Sequence, residues 1–226
     1  MNQTKNGLWN SPLLRSQVTS EDVRPPEMLF GYLIGPFGAL LASGIFTSQL
    51  QNYLTNVLKL DLGFLTTLQL LSTILIVAAN LVVGQLIERT RTLAGKARPW
   101  ILLSALTLSV ASVLMFIVPF ADRTARMVWI AIAYNAYYAV GFPIYNTANS
   151  TLVPVSTRNS KQRSTLASLT NIASLGVMGV GSMIFPTLVS MALKEDQHLW
   201  FVAMLAVAIF SAITIYLQFL FTRERV

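Results

Sequence analysis

The sequence predicts an all-α membrane protein with six transmembrane helices. Of its 226 residues, 54% are hydrophobic and only 11% are charged, which is too apolar for a soluble domain of ordinary composition. The charged residues separate six charge-free windows, each with the roughly 20 residues needed to cross a hydrocarbon core of about 30 Å. These windows are 28–58, 62–87, 99–121, 127–157, 164–193 and 199–222.

The positive charges predict the topology. With the N-terminus in the cytoplasm, twelve of the sixteen Lys and Arg residues fall in cytosolic segments, so both termini are expected inside the cell. The chain then divides into a cytosolic tail (1–27), a transmembrane bundle (28–222) and a cytosolic end (223–226), and it is expected in the cell membrane as a multi-pass protein. The bases that would lie outside are Lys59, Arg123, Arg126 and Lys194.

Several function classes are excluded by what the sequence lacks. It has no cysteine, and its single histidine, His198, lies beside charged residues in a short loop, where a solvated role is expected. No nucleophile–base pair, metal-ligand cluster or phosphate-binding loop is visible, so we expect no enzyme, no metal site and no cofactor. The bases form no continuous stripe, so the expected partners are membrane lipids and not nucleic acid.

The helices carry small residues and prolines that suit close packing and bending. In the first helix Gly31, Gly35, Gly38 and Ala42 lie on one face, which lets another backbone approach. Packing alone explains such glycines, although bent helices with small residues are also what a moving transporter needs. Prolines that permit bends lie in the first, fourth and fifth helices, at Pro36, Pro143 and Pro186.

The fourth helix is the most polar of the six. Its polar and aromatic side chains recur at three- and four-residue steps, so they line either a helix interface or a water-filled cavity. No Asp, Glu, Lys or Arg lies inside any of the six windows, so this chain offers no embedded carboxylate for cation coupling. The stripe contains Asn135, Tyr138, Phe142, Tyr145 or Asn146, and Asn149, and Asn80 and Asn171 are polar residues of neighbouring helices.

The segment "GQLIERTRTLAGKARPWIL", residues 84–102, resembles a known family. It is similar to the loop between helices 2 and 3 of the glycoside–pentoside–hexuronide:cation symporters, the melibiose-permease-like branch of the major facilitator superfamily. "GPFG" at 35–38, "YLTNVLKL" at 53–60 and residues 146–166 extend the resemblance. It implies a sugar symporter scaffold of twelve helices, of which this chain has the first six, arranged as two inverted three-helix repeats.

The resemblance also implies a role for the basic loop. In the superfamily the bases of this loop bond acidic groups and helix ends on the cytosolic side and so form a gate, whereas topology alone would explain only their sign. The expected gate residues are Arg89, Arg91, Gly95, Lys96, Arg98, Pro99 and Trp100, together with Arg163.

At the binding positions this chain departs from the family. Where the family has charged groups for sugar and cation, the alignment places the neutral residues Leu40, Ile76, Asn80, Asn146 and Asn171, and Ser150 replaces an aromatic residue. Cation coupling by this half is therefore not supported, and neutral side chains would hold a sugar more weakly. The candidate substrate-binding residues are Asn146, Asn171, Tyr138, Asn80 and Asn149.

Two functional hypotheses follow. The first is half of a carrier for sugars or glycosides, which needs a complementary C-terminal half or a second copy of itself as a homodimer. The second is a non-transporting membrane subunit, either degenerate or regulatory, which the neutral binding positions favour and the intact basic loop opposes.

Overall fold

The computed structural model describes residues 14, 16–193 and 195–226, and it confirms the all-α class predicted for this chain. Five helices are long and apolar enough to cross a membrane, and the third is a shorter apolar helix. Of the residues that carried the topology prediction, Lys5, Arg15 and Lys194 lie outside the described part. The helices are α1 (Glu27–Val57), α2 (Leu62–Arg89), α3 (Arg98–Leu114), α4 (Arg123–Ser156), α5 (Ser160–Leu193) and α6 (Gln197–Leu220).

Four of the helices begin at a polar side chain that accepts a backbone N–H of the first turn. Such a cap satisfies one of the amide groups that an α-helix leaves without a partner at its start. Because the caps come within about five residues of the apolar windows, each of these helices begins close to the predicted boundary. The capping residues are Asp61 for α2, Asp122 for α4, Asn159 for α5 and Asp196 for α6.

Helix α3 ends at Leu114, whereas its charge-free window continues to residue 121. The Trp129 indole N–H donates to the Leu114 carbonyl at 3.2 Å, and Pro119, which has no N–H, lies in the following turn. Met115 and Phe116, directly after the helix, are buried in the protein although they are not helical. Hydropathy alone cannot distinguish such a buried turn from one more helical turn.

Wider, π-helical turns precede the three prolines expected to bend their helices. A proline cannot donate to the carbonyl four residues before it, and that carbonyl needs another partner. In α1 the carbonyl four residues before Pro36 belongs to Tyr32, and it accepts the Thr170 hydroxyl of α5 at 3.4 Å. The π-helical stretches are Glu27–Ile34 before Pro36, Ala136–Gly141 before Pro143 and Val180–Ile184 before Pro186.

The packing of the helices follows an inverted repeat. Helix α1 packs against α5 and α6, helix α4 packs against α2 and α3, and α3 packs against α6. Exchanging α1–α3 with α4–α6 leaves this pattern unchanged, as two equivalent three-helix repeats require. The starts of α1, α3 and α5 and the ends of α2, α4 and α6 lie on one side of the bundle, which we call the tail face. The opposite side is the far face.

Glycines set the closest helix contacts of α1. Its Gly31, Gly35 and Gly38 meet Thr222, Gln218 and Thr214 of α6 and the segment after it. On another side of α1, the backbones of Gly44 and Gly181 approach so closely that a Cβ on Gly181 would lie 2.5 Å from Gly44 carbonyl atoms. The Ser48 hydroxyl donates to the Gly181 carbonyl at 2.6 Å across the same crossing. Small residues therefore join α1 to both α5 and α6.

Arginines bond the last carbonyls of two helices. At the far face Arg126 donates to the Leu58 carbonyl, directly after α1, at 3.0 Å. At the tail face Arg225 donates to the carbonyl of Ser156, the last residue of α4, at 2.9 Å. A cation at the carboxyl end of a helix also complements the helix dipole.

Candidate functional site

Part of the polar stripe on α4 lies in a helix interface. The Tyr145 hydroxyl donates to Gln218 Oε1 at 2.9 Å, and Gln218 Nε2 donates to Asn149 Oδ1 at 2.8 Å. All three side chains are buried, and they connect α4 to α6 in an apolar surrounding. Asn149 therefore lies in a helix interface and not in a water-filled cavity, and its amide oxygen accepts a hydrogen bond from Gln218.

Replacing Gln218 with leucine should destabilise the bundle. The change leaves the Tyr145 hydroxyl and the Asn149 amide buried without their partner, at an expected cost of about 1–3 kcal/mol. The loss would be measured as a lower midpoint of thermal unfolding in detergent. Gln69→Leu is the matched control, because Gln69 is exposed on α2, and it should leave the midpoint nearly unchanged.

Three candidate asparagines lie at a similar depth on different helices. Asn146 precedes the last residue of α4 by ten positions, Asn171 follows the first residue of α5 by eleven, and Asn80 precedes the last residue of α2 by nine. At 1.5 Å per residue these offsets place all three about 15 Å from the tail face, near the middle of a membrane. Asn146 and Asn171 are exposed, whereas Asn80 is half-buried and donates to the Ile76 carbonyl of its own helix.

Tyr138 belongs to an aromatic cluster in the far half of the bundle. Its ring centroid lies 4.5 Å from that of Tyr134 and 5.0 Å from that of Tyr137. Phe46 of α1 packs edge-on against Tyr137 at 4.5 Å, which joins α1 to α4. Tyr138 is half-buried at the border of this cluster, whereas Tyr137 is fully buried. Along α4, Tyr138 lies eight residues before Asn146, so it is closer to the far face than the three asparagines are.

The basic loop, which runs from Arg89 at the end of α2 to Arg98 at the start of α3, contains a defined turn. The Thr92 hydroxyl donates to the Gly95 carbonyl at 2.6 Å, and Gly95 has a φ of +109°, which favours glycine. The Trp100 indole N–H donates to the Thr90 hydroxyl at 2.9 Å and ties the loop to α3. Pro99, at the second position of α3, has no N–H to satisfy there, as is usual for proline in a first turn.

Glu224 fixes the loop from the opposite end of the chain. Its carboxylate accepts the backbone N–H groups of Lys96, Ala97 and Arg98 at 2.9, 2.8 and 3.0 Å. These amides belong to the first residue of α3 and to the two residues before it, at a helix start, where an anion is favoured by the helix dipole. The end of the loop is thus held by the segment that follows α6.

The bases of this loop fall into two groups. Arg98 is 5% exposed, and its guanidinium donates to the Phe219 and Ala94 carbonyls at 2.9 and 3.2 Å while lying 4.6 Å from the Phe219 ring centroid. The side chains of Arg89, Arg91 and Lys96 make no hydrogen bond or ion pair with the described part of the chain. Arg98 therefore has a structural role within this bundle, and the gate role of the other three stays a prediction.

Two further arginines make contacts at the tail face. Arg225 forms a two-pronged ion pair with Glu27 at 2.7 and 2.8 Å, and the Glu27 side chain is 1% exposed. The hydrogen bond with Glu27 raises the pKa of the Arg225 guanidinium, so the guanidinium remains charged. Arg163, the remaining predicted gate residue, lies in the first turn of α5 and donates to the Thr157 carbonyl, just before that helix, at 3.0 Å.

Four residues with contacts at these sites were not among the residues predicted from the sequence: Glu27, Gln218, Glu224 and Arg225. Gln218 had a detectable signal, because Ser211, Thr214 and Gln218 recur at three- and four-residue steps on an otherwise apolar helix. The charged residues had none, since they lie in terminal segments where any charge is unremarkable. Among the described residues no three Asp, Glu or His side chains are close enough to share a metal ion.

Comparison with known proteins agrees with this architecture. A family model described as MFS/sugar transport protein matches residues 31–226. The isoprimeverose transporter of Lactiplantibacillus pentosus is 26% identical over 93% of this chain and 44% of its own length. The putative glycoside/cation symporter YagG of Escherichia coli (strain K12) is 28% identical over 76% of this chain and 38% of its own length.

These matches confirm the resemblance to glycoside–pentoside–hexuronide symporters, and they are to transporters and not to enzymes. The chain spans less than half the length of the curated relatives it matches. The match begins in α1 and covers all six helices. The chain belongs to the MFS/sugar transport protein family.

Proposed function

We propose that this chain is one half of a membrane carrier for sugars or glycosides and acts with a second six-helix unit. The observation that carries the proposal is the family match over the whole six-helix bundle, at 44% of the length of the isoprimeverose transporter. The inverted-repeat packing supports the proposal, because a bundle of this kind forms one wall of a transport pathway and needs a second bundle to enclose it. The second unit is a complementary C-terminal half or another copy of this chain.

The three asparagines at mid-membrane depth are the proposed solute contacts. Asn146 and Asn171 are exposed on α4 and α5, and amide groups can donate to and accept from sugar hydroxyls. Asn80 joins them from α2, and Tyr138 borders the pathway nearer the far face. Asn149 supports the site from behind through Gln218. With no ionisable side chain at this depth, a cation gradient would have to act through the second unit.

Transport in liposomes tests this proposal. The chain would be reconstituted alone and with the remaining part of the isoprimeverose transporter, and uptake of labelled isoprimeverose would be measured with and without a sodium gradient. We expect uptake only when a second unit is present. Asn146→Ala and Asn171→Ala should abolish this uptake, whereas Asn56→Ala, an exposed control on the far face, should retain it. Absence of uptake in every combination, including a panel of other glycosides, would favour the non-transporting subunit.

We propose that the protein lies in the cell membrane with its tail face towards the cytosol. Leu93 on the basic loop is 74% exposed and Thr124 on the far face is exposed, and the chain has no native cysteine. A membrane-impermeant maleimide should therefore label Thr124→Cys in intact cells and Leu93→Cys only after permeabilisation. Labelling of both variants in intact cells, or the reverse order, would contradict the assigned topology and the domain boundaries at 27 and 223.

A further inference from the structure

The start of α3 differs from the starts of α2, α4, α5 and α6. Those four helices are capped by an Asp or Asn directly before the helix, whereas the residue before α3 is Ala97, whose side chain cannot accept a hydrogen bond. The amides of its first residue and of the two residues before it are accepted by Glu224, more than 120 residues away along the chain. A cap from a distant segment fixes the position of the helix start as well as its hydrogen bonds.

We propose that Glu224 is the positioning residue of the basic loop, which rests on the proposed function in so far as that loop is a gate. Both carboxylate oxygens are used, Oε2 by the Lys96 amide and Oε1 by the Ala97 and Arg98 amides. The bases Arg89, Arg91 and Lys96 are carried by the segment so held. The segment after α6 therefore sets the position of these three bases.

Gly95 is the partner that makes this contact possible. A Cβ at this position would lie 2.3 Å from the Glu224 carboxyl carbon and 2.4 and 2.6 Å from its two oxygens. The positive φ of Gly95 also turns the chain so that the next three amides point to one acceptor. The loop glycine and the acid are thus two parts of one contact.

The residues on both sides of Glu224 hold it in place. The Arg225 amide donates to the Val155 carbonyl at 2.8 Å, and the Arg223 guanidinium donates to the Thr19 carbonyl at 2.7 Å. We call residues 223–225 the latch. The latch connects the basic loop to the end of α4 and to the segment before α1. A movement of the loop relative to α4 must break the Glu224 contact.

Hydrogen exchange of the full chain in nanodiscs tests the positioning role, because it reads the three amides directly. In Glu224→Ala we expect exchange in a peptide covering residues 95–100 to accelerate about tenfold or more, with α6 peptides unchanged. Glu224→Gln, which keeps one acceptor oxygen, should be intermediate. Glu21→Gln, an equal loss of charge at an exposed position of the same face, should have no effect.

Coupling to Gly95 distinguishes a specific contact from general loosening. Gly95→Ala should accelerate exchange of the same peptide, and in the double variant Gly95→Ala, Glu224→Ala the acceleration should be smaller than the product of the two single effects. Multiplicative effects, unchanged exchange in Glu224→Ala, or acceleration throughout the chain in both Glu224→Ala and Glu224→Gln would overturn the proposal.

Because exchange needs neither solute nor second unit, its result stands whether or not uptake is found. Where uptake is found, Glu224→Ala should lower its maximal rate several-fold and leave the half-saturating sugar concentration unchanged. A change confined to the half-saturating concentration would contradict a role in positioning a gate.

Discussion

Replacing Arg225 with alanine should lower the free energy of unfolding by about 3–5 kcal/mol, the largest effect expected of any charge change in this chain. The change leaves the Glu27 carboxylate, 1% exposed, without its counter-ion. It also removes the guanidinium that bonds the Ser156 carbonyl at the end of α4. The loss would be measured as a shift in the unfolding transition of purified protein in detergent.

Arg223→Ala is the matched control for this prediction. Arg223 lies two residues away, and within the described part of the chain it donates to the Thr19 and Ser20 carbonyls of the tail, so its loss should cost less than about 1 kcal/mol. Adding Glu27→Gln to Arg225→Ala should recover part of the loss, because it removes the stranded charge. Equal midpoints for Arg225→Ala and Arg223→Ala would show that the ion pair is not the source of stability.

The second large effect is expected at the crossing of α1 and α5. Gly181→Ala places a methyl group 2.5 Å from backbone atoms of Gly44, which cannot rotate away as a side chain could. The two helices must separate, which weakens the bond from Ser48 to the Gly181 carbonyl. We expect a loss of about 3 kcal/mol, at the upper end of overpacking effects, measured by the same unfolding assay.

Gly179→Ala provides an internal comparison on the same helix. No atom lies within 4 Å of a Cβ at this position, so the change should be neutral or stabilise by up to about 1 kcal/mol through helix propensity. If the two alanine variants unfold together, the close backbone approach does not hold α1 and α5.

The helices could be predicted because each depends on local information. A window without charge must be buried in lipid or protein, and a capping residue such as Asp61 or Asp122 at its border starts the helix. The prediction was less accurate at the end of α3. There the Leu114 carbonyl is taken by Trp129, a contact between segments that hydropathy does not report.

The candidate site was predictable only in part, for the same reason. Periodicity identified the stripe on α4, but it could not say that Asn149 bonds Gln218 whereas Asn146 stays exposed three residues earlier. That outcome depends on which face of α4 meets α6. The partnership of Gly95 with Glu224 depends on a chain separation of more than 120 residues, and neither residue signals the other in the sequence.

The two arginine bonds to helix ends bear on how this protein can be dissected. Arg126, which follows the third helix in the chain, bonds the carbonyl at the end of α1, and Arg225, which follows the sixth, bonds the carbonyl at the end of α4. An excised three-helix fragment that stops at Leu114 would thus expose the Leu58 carbonyl, whereas one extended through Arg126 would keep it bonded. Cut sites for building isolated or shuffled repeats therefore lie downstream of each third helix, past Arg126 in the first repeat and past Arg225 in the second, and not at the last turn of that helix.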